Sequence, residues 1–324
     1  MRARDLGIRI GDLEPGRFDA ITDVDGIRVG HTTLIEGDDV RTGVTVVVPP
    51  DLPLFAGCHR LNGNGELTGL EWVRESGFLT TPIGITNTFS VGVVRDAIAA
   101  ASADEDAWSL PVVGETFDGF LNNARVQRIT AEHTLDALQN AHDGAVEEGN
   151  VGGGTGMICH GYKGGIGTAS RVTDDYVVGV LVQANHGRKP RLRINGTPIP
   201  SNSLLQGGSA GSIIGIVATD APLLPHQCDR LALRAGFGVA RMGGLGENSS
   251  GDIFIAFATG NRAFENTVRM HPNEGMDSLF EAVVDATEEA ILNAMLSAET
   301  MTGRDGHTVE ALDADLVKRT LRRS

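Results

Sequence analysis

Short runs of β-branched and aliphatic residues recur along the chain, at 43–48 (GVTVVV), 82–87 (PIGITN), 177–183 (VVGVLVQ), 212–218 (SIIGIVA) and 253–258 (IFIAFA). Their length and β-branched content predict strands. Most carry apolar residues on both faces, the pattern of sheets covered on two sides, so a layered α/β protein is expected. Apolar residues return at three- and four-residue spacing over 94–103, 131–148, 225–241, 278–298 and 309–321, which predicts amphipathic helices. Pro225 suits a first helical turn, and Ser278 with Glu281 makes a capping box ahead of Val283, Val284, Ile291 and Leu292. No fixed-period repeat and no Pro/Ser-rich linker interrupts the pattern, so residues 1–324 are expected to form one domain.

Composition narrows the function classes. Glycine, at 43 of 324 residues, is well above the usual share of about 7%. The glycines cluster between apolar runs, as in Gly152–Gly154 and Gly164–Gly167, and so mark tight turns and close backbone approaches. A net charge of -15 argues against nucleic acid as a partner, because phosphate-backbone binders cluster Lys and Arg on one face. Cys58, Cys159 and Cys228 are too few and too scattered for a disulfide framework or a CxxC metal pair, which fits a reducing cytoplasm. The N-terminal stretch has no continuous apolar region, and no run approaches the roughly 18 apolar residues of a membrane span, so no targeting or membrane association is expected.

Several familiar signatures are absent: GxxxxGK[ST], GxGxxG after a strand, and HExxH. The glycine-rich 152–156 is not followed by the Lys-Ser/Thr pair of a phosphate loop. No two of the nine histidines form an i, i+4 pair, and single ones such as His160 and His186 read as hydrogen-bonded structural residues rather than ligands. The informative stretch is GGLGENSSGD at 243–252, running directly into the apolar strand 253–258. A serine at the mouth of a buried strand is held rigidly and suits a nucleophile, although a polar turn before a strand has the same local look.

The wider sequence separates these readings. GIRVGHTT (26–33), RTGVT (41–45), NGNGELTG (62–69), GETFDG (114–119), KGGIGT (163–168), VQAN (182–185) and DAPL (220–223) occur in order before Ser250-Gly251-Asp252. Together they resemble the L-aminopeptidase/D-esterase (DmpA-like) family, which includes the β-peptidyl aminopeptidases, over about residues 18 to 300. The resemblance implies a four-layer αββα sandwich, similar to N-terminal-nucleophile hydrolases but with the connectivity shared by DmpA and ornithine acetyltransferase. It also implies a precursor that cuts itself before its catalytic serine, which falls on Ser250. Residues 1–249 would then form a large subunit and 250–324 a small one, assembled as a tetramer of cleaved heterodimers. The family's Gly or Asn before the nucleophile is replaced here by Ser249, which leaves Asn248–Ser249 as a second candidate bond.

The chemistry follows from the residues. Ser250 attacking the Ser249 carbonyl, presented by strain in the glycine-rich turn, gives an ester that water hydrolyses. Cleavage frees an α-amine with an ordinary pKa of about 7.7–8.0, a base beside the nucleophile. On the resemblance, the helix carrying TEEAI supplies a hydroxyl from Thr287 and a carboxylate from Glu289. Glu115 is suited to pair with a substrate ammonium, with a turn or capping carboxylate as the alternative. Asn185, just beyond strand 177–183, is placed to donate to an oxyanion or to hold a turn, and Tyr162 and the backbone near Gly164 are candidates for lining the pocket. The expected function is release of N-terminal residues from small peptides, amides or esters without metal or organic cofactor. The rivals are an acyl transferase of the ornithine acetyltransferase type, whose Thr nucleophile is not matched, and a non-catalytic binding protein on the same fold.

Overall fold

A computed structural model describes residues 1–101, 108–201, 211–262 and 267–322. The N-terminal half lays down β1 (Arg28–Glu36), β2 (Val40–Val48), β3 (Leu54–Gly63), α1 (Leu70–Ser76), β4 (Phe78–Leu79), β5 (Ile83–Asn87), α2 (Val91–Ala100), β6 (Val112–Thr116) and α3 (Ala131–Gln139). There follow β7 (Ile158–Cys159), β8 (Tyr162–Lys163), β9 (Gly165–Val172), β10 (Val177–Asn185), the small pair β11 (Arg193–Ile194) and β12 (Thr197–Pro198), β13 (Ser212–Thr219), α4 (Pro225–Arg241) and β14 (Gly251–Ala258). The chain closes with α5 (Met276–Leu296), the pair β15 (Met301–Thr302) and β16 (Thr308–Val309), and α6 (Ala314–Leu321).

Two sheets stack face to face. One has the strand order β1-β2-β5-β6 and the other β4-β3-β14-β13-β10-β9. Val29, Val47, Ile83, Ile85 and Val112 of the first meet Leu181, Ile214, Ile216, Ile253, Ile255 and Phe257 of the second in one dry core. The outer face of the four-stranded sheet is covered by α2 and α3 through Val94, Ile98 and Ala137. On the outer face of the six-stranded sheet, α4 and α5 pack Leu231, Ala235, Val283 and Ile291 against Val180, Val217, Phe254 and Ala256. Both faces of the central strands are therefore buried, which is why they read as continuous apolar runs, and the expected αββα sandwich is the fold.

The five expected strands and α4 sit where the pattern put them, but other boundaries differ. α3 stops at Gln139, well short of 148, and the final helix begins at Ala314 because 308–309 pairs as β16. Residues 102–103 of the helix expected at 94–103 lie outside the described residues. The capping box at Ser278 does not form. Helix α5 starts earlier, at Met276, since Met276 and Leu279 are buried, and the Ser278 hydroxyl donates to the Gly275 carbonyl at 3.2 Å. Among the longer strands, periodicity missed β1, β3, β6 and β9; β9 is buried almost throughout, while β3 is buried mainly in its first half.

Candidate active site

β14 begins one residue after Ser250, so the serine sits where the glycine-rich turn feeds a strand buried on both faces. The left-handed torsions of this turn fall on Gly243 (φ 92°) and Gly246 (φ 61°), where glycine adopts them at no steric cost. Hydrogen bonds, rather than strain, place the Ser249–Ser250 bond. The Ser250 N–H donates to the Glu247 carbonyl at 2.8 Å, and the Ser250 carbonyl accepts from the Asn64 N–H at 3.2 Å. The Asn64 side-chain amide donates to the Ser249 carbonyl at 2.8 Å, and the Asn62 amide holds the Glu247 carbonyl. The NGNG stretch that ends β3 thus grips the turn from the neighbouring strand.

Ser250 is fully buried and its hydroxyl donates to Asp252 Oδ1 at 2.6 Å. Burial pushes the Asp252 carboxyl up to about 6, against the lowering effect of the Ser250 hydrogen bond. A carboxylate in this place is a competent proton acceptor for the hydroxyl at neutral pH. Gly251 faces the other way: a Cβ there would lie 2.5 Å from the Gly65 Cα, so only glycine lets β14 meet the loop after β3.

Across that contact stands Glu115 on β6. The Cβ position of Gly65 is 3.2 Å from Glu115 Oε1, which accepts the Glu66 N–H at 3.1 Å, while Oε2 accepts the Thr88 hydroxyl. Burial raises this carboxyl, and among the described residues no Lys or Arg pairs with it. In the six-stranded sheet, Asn185 pairs with Ser212 and Ile213 with Asp252, so β10, β13 and β14 end together. Ser212 Oγ accepts the Gly251 N–H at 3.1 Å. Asn185 Oδ1 accepts the Ile158 N–H at 2.7 Å and its amide donates to the Phe117 carbonyl at 3.1 Å, which leaves one amide proton to give. A cleft of about 330 Å³ opens beside Gly63, Gly65 and Ile253.

With this geometry in view, comparison with known proteins identifies the family. Residues 19–309 match the family model described as peptidase family S58. The chain belongs to that family. It is 46% identical to the β-peptidyl aminopeptidase BapA of Sphingosinicella microcystinivorans, covering 96% of this chain and 89% of that one. Among solved structures, a Burkholderia sp. β-aminopeptidase superposes with a TM-score of 0.94 at 51% identity, over 100% of this chain and 99% of the other. The L-aminopeptidase D-Ala-esterase/amidase of Ochrobactrum anthropi, titled a prototype for the serine aminopeptidases and a variant of the Ntn hydrolase fold, does so with a TM-score of 0.90. Its identity is 41%, over 99% and 98% of the two chains. This S58 peptidase is a serine aminopeptidase, a hydrolase acting on peptide bonds.

Of the residues singled out in its sequence, Ser250, Ser249, Glu115 and Asn185 converge on one end of the sandwich. Three do not. The Thr287 hydroxyl donates to the Val283 carbonyl at 2.7 Å within α5, and its side chain packs on Gly238 of α4. Glu289 faces β9 instead, where it pairs with Arg171 at 2.5 Å and Arg4 at 3.1 Å. Arg171 pairs with Val178 across the β9–β10 ladder, seven residues and so roughly 23 Å from Asn185. Neither Thr287 nor Glu289 is hydrogen-bonded to Ser250 or Asp252. Tyr162 is buried against the α-layer core with Lys189 Nζ 4.0 Å over its ring, and does not line the Ser250–Glu115 gap. The residues that sequence reasoning passed over are Asp252, Asn62 and Asn64. All three lie inside motifs already quoted, and a carboxyl two residues from a candidate nucleophile was the available signal.

Proposed function

We propose that this S58 peptidase activates itself by cutting between Ser249 and Ser250 and then releases N-terminal residues from small peptides through an ester on Ser250. The observation that carries the reading is the pair of contacts on that one bond: Asn64 donates to the Ser249 carbonyl while the Ser250 hydroxyl donates to Asp252. As the Ser250 oxygen attacks the Ser249 carbonyl carbon, its proton passes to Asp252. The developing oxyanion is met by the Asn64 amide, and the C–N bond breaks as the Ser250 nitrogen takes up a proton. Water then hydrolyses the ester. This supplies the base that the intact chain needs before its α-amine exists.

In the processed enzyme the freed α-amine of Ser250 takes over as base, Glu115 receives the substrate ammonium, and the remaining amide proton of Asn185 faces the oxyanion. An uncompensated buried carboxylate penalises a blocked N-terminus, which makes the enzyme an aminopeptidase rather than an endopeptidase. The relatives at 46% and 51% identity are named for β-peptides, which supports N-terminal β-residues as the favoured class. The exposed Phe89, Phe117 and Phe120 support further assembly of the cleaved heterodimers into a homo-oligomer.

The test is an intact-mass spectrum of the purified protein. Fragments of 249 and 75 residues, about 26 and 8 kDa of the 34.1 kDa chain, are expected for the unmodified protein, and a single full-length species for Ser250→Ala. Cleavage one residue earlier, abolished by Ser249→Ala and not by Ser250→Ala, would move the nucleophile to Ser249. An uncut chain with full aminopeptidase activity would overturn self-activation.

A further inference from the structure

Behind Asn185 lies a cluster that the peptidase chemistry does not use. Cys159 ends β7, His160 follows it, and His186 follows the last residue of β10. All three side chains are buried, and one ligand atom from each lies within 4.8 Å of the other two. Cys159 Sγ is 3.8 Å from His186 Nδ1. The imidazole rings stand edge to face, 5.3 Å between centroids, and the His160 N–H donates to the His186 carbonyl at 2.7 Å.

Hydrogen-bond bookkeeping shows what the cluster lacks. His160 Nδ1 lies 3.2 Å from the Arg188 carbonyl, which only accepts, so Nδ1 carries the proton and Nε2 presents a lone pair. That is the arrangement by which a backbone carbonyl orients a metal-bound histidine. Nε2 of His160 and Nε2 of His186 are both buried without a hydrogen-bond partner among the described residues. His160 is also held at φ 48°, an uncommon torsion for a residue with a side chain.

One sulfur and two imidazole nitrogens select soft or borderline cations and disfavour Mg²⁺ and Ca²⁺. Charge then chooses among them. Lys163, fixed by the carbonyls of Met157 (2.8 Å) and Gly164 (2.9 Å), acts electrostatically on Cys159. Glu247 acts on His160 but is itself paired with Arg188 and Arg191. A thiolate with a divalent ion adds a net positive charge to this buried place beside Lys163, whereas a thiolate with a monovalent ion adds none. We propose that Cys159, His160 and His186 form an internal site for one cuprous ion. Binding forms the S–Cu bond as the thiol proton leaves to solvent, with copper remaining Cu⁺ throughout. The ion joins the β7 turn to the end of β10, the two segments whose Ile158 N–H and Asn185 side chain are bonded to each other.

The experiment is an anaerobic titration of the reduced, full-length protein with Cu⁺ against a chromophoric Cu⁺ chelator. One Cu⁺ per chain is expected. Cys159→Ser and His186→Gln should each weaken binding by at least about 100-fold, while Cys58→Ser and Cys228→Ser, which alter the other two thiols, should leave it unchanged. X-ray absorption on the unmodified complex, which does not depend on any variant folding, should show one sulfur with nitrogen neighbours. Absence of stoichiometric binding, equal affinity in Cys159→Ser, an absorption spectrum without sulfur, or displacement of Cu⁺ by equimolar Zn²⁺ would each overturn the proposal.

Discussion

The sandwich has carboxylates buried at both ends, and the two ends treat them in opposite ways. At the β9 end, Glu289 is clasped by Arg171 and Arg4, while Arg2 reaches Glu148 at 2.7 Å and Asp19 at 3.5 Å. At the other end, Asp252 and Glu115 have hydroxyl and backbone donors but, among the described residues, no cation. Burial raises carboxyls at both, Asp19 and Glu148 to about 7 and Asp252 to about 6, so a raised pKa does not tell the ends apart. Partners do. A buried acid with an arginine is architecture, since removing either member strands the other. A buried acid without one has room for a substrate ammonium or a proton in transit.

The largest effect should come from the unpaired end. Ser250→Ala should abolish processing and lower aminopeptidase turnover by about 10⁴-fold or more, and Asp252→Asn should slow processing by about 10²–10⁴-fold, both read from intact-mass time courses. Normal processing in Asp252→Asn would remove this carboxylate from the chemistry. At the paired end, Glu289→Gln leaves buried Arg171 only the more distant Asp19, at 3.7 Å, as counter-ion and should cost about 3–5 kcal/mol of stability, measured by denaturant unfolding of an uncleaved Ser250→Ala background. Processing of the folded protein should continue, and its loss would return Glu289 to the active site.

Glu115→Gln should show the reverse profile, with stability nearly unchanged, self-cleavage retained, and kcat/KM for free-amine peptides reduced by about 2–5 kcal/mol. Equal turnover of N-acetylated and free peptides by the unmodified enzyme would break the assignment. The processing rate of refolded precursor should rise with pH through about 6, as Asp252 becomes the proton acceptor, and then level off. The sign for stability is opposite. Because the folded-state pKa lies above the ordinary 3.8, the folded chain holds this proton more tightly than the unfolded one, so the contribution falls as pH rises from about 4 to 6. Asp252→Asn should lack both trends. The smallest effect belongs to Thr287→Val, which loses one intrahelical hydrogen bond worth about 1 kcal/mol or less, with processing intact.

Much of this was legible in the sequence because it depends on local pattern. Strands apolar on both faces required a covered sheet on each side, and a serine followed by Gly-Asp at the head of 253–258 marked the candidate nucleophile. Glu115 could be read as a carboxylate leaving an apolar strand. What tertiary structure alone decided is which side chains meet. Helical spacing placed Thr287 and Glu289 on α5, but two residues on a helix differ by about 200° in direction. One therefore turns toward α4 and the other toward β9, and neither bonds to Ser250. Asn64 reaches the Ser249 carbonyl only because β3 and β14 are neighbours in the sheet across 185 residues of chain. Whether a buried acid finds an arginine is settled by such long-range neighbours, and no local pattern encodes them.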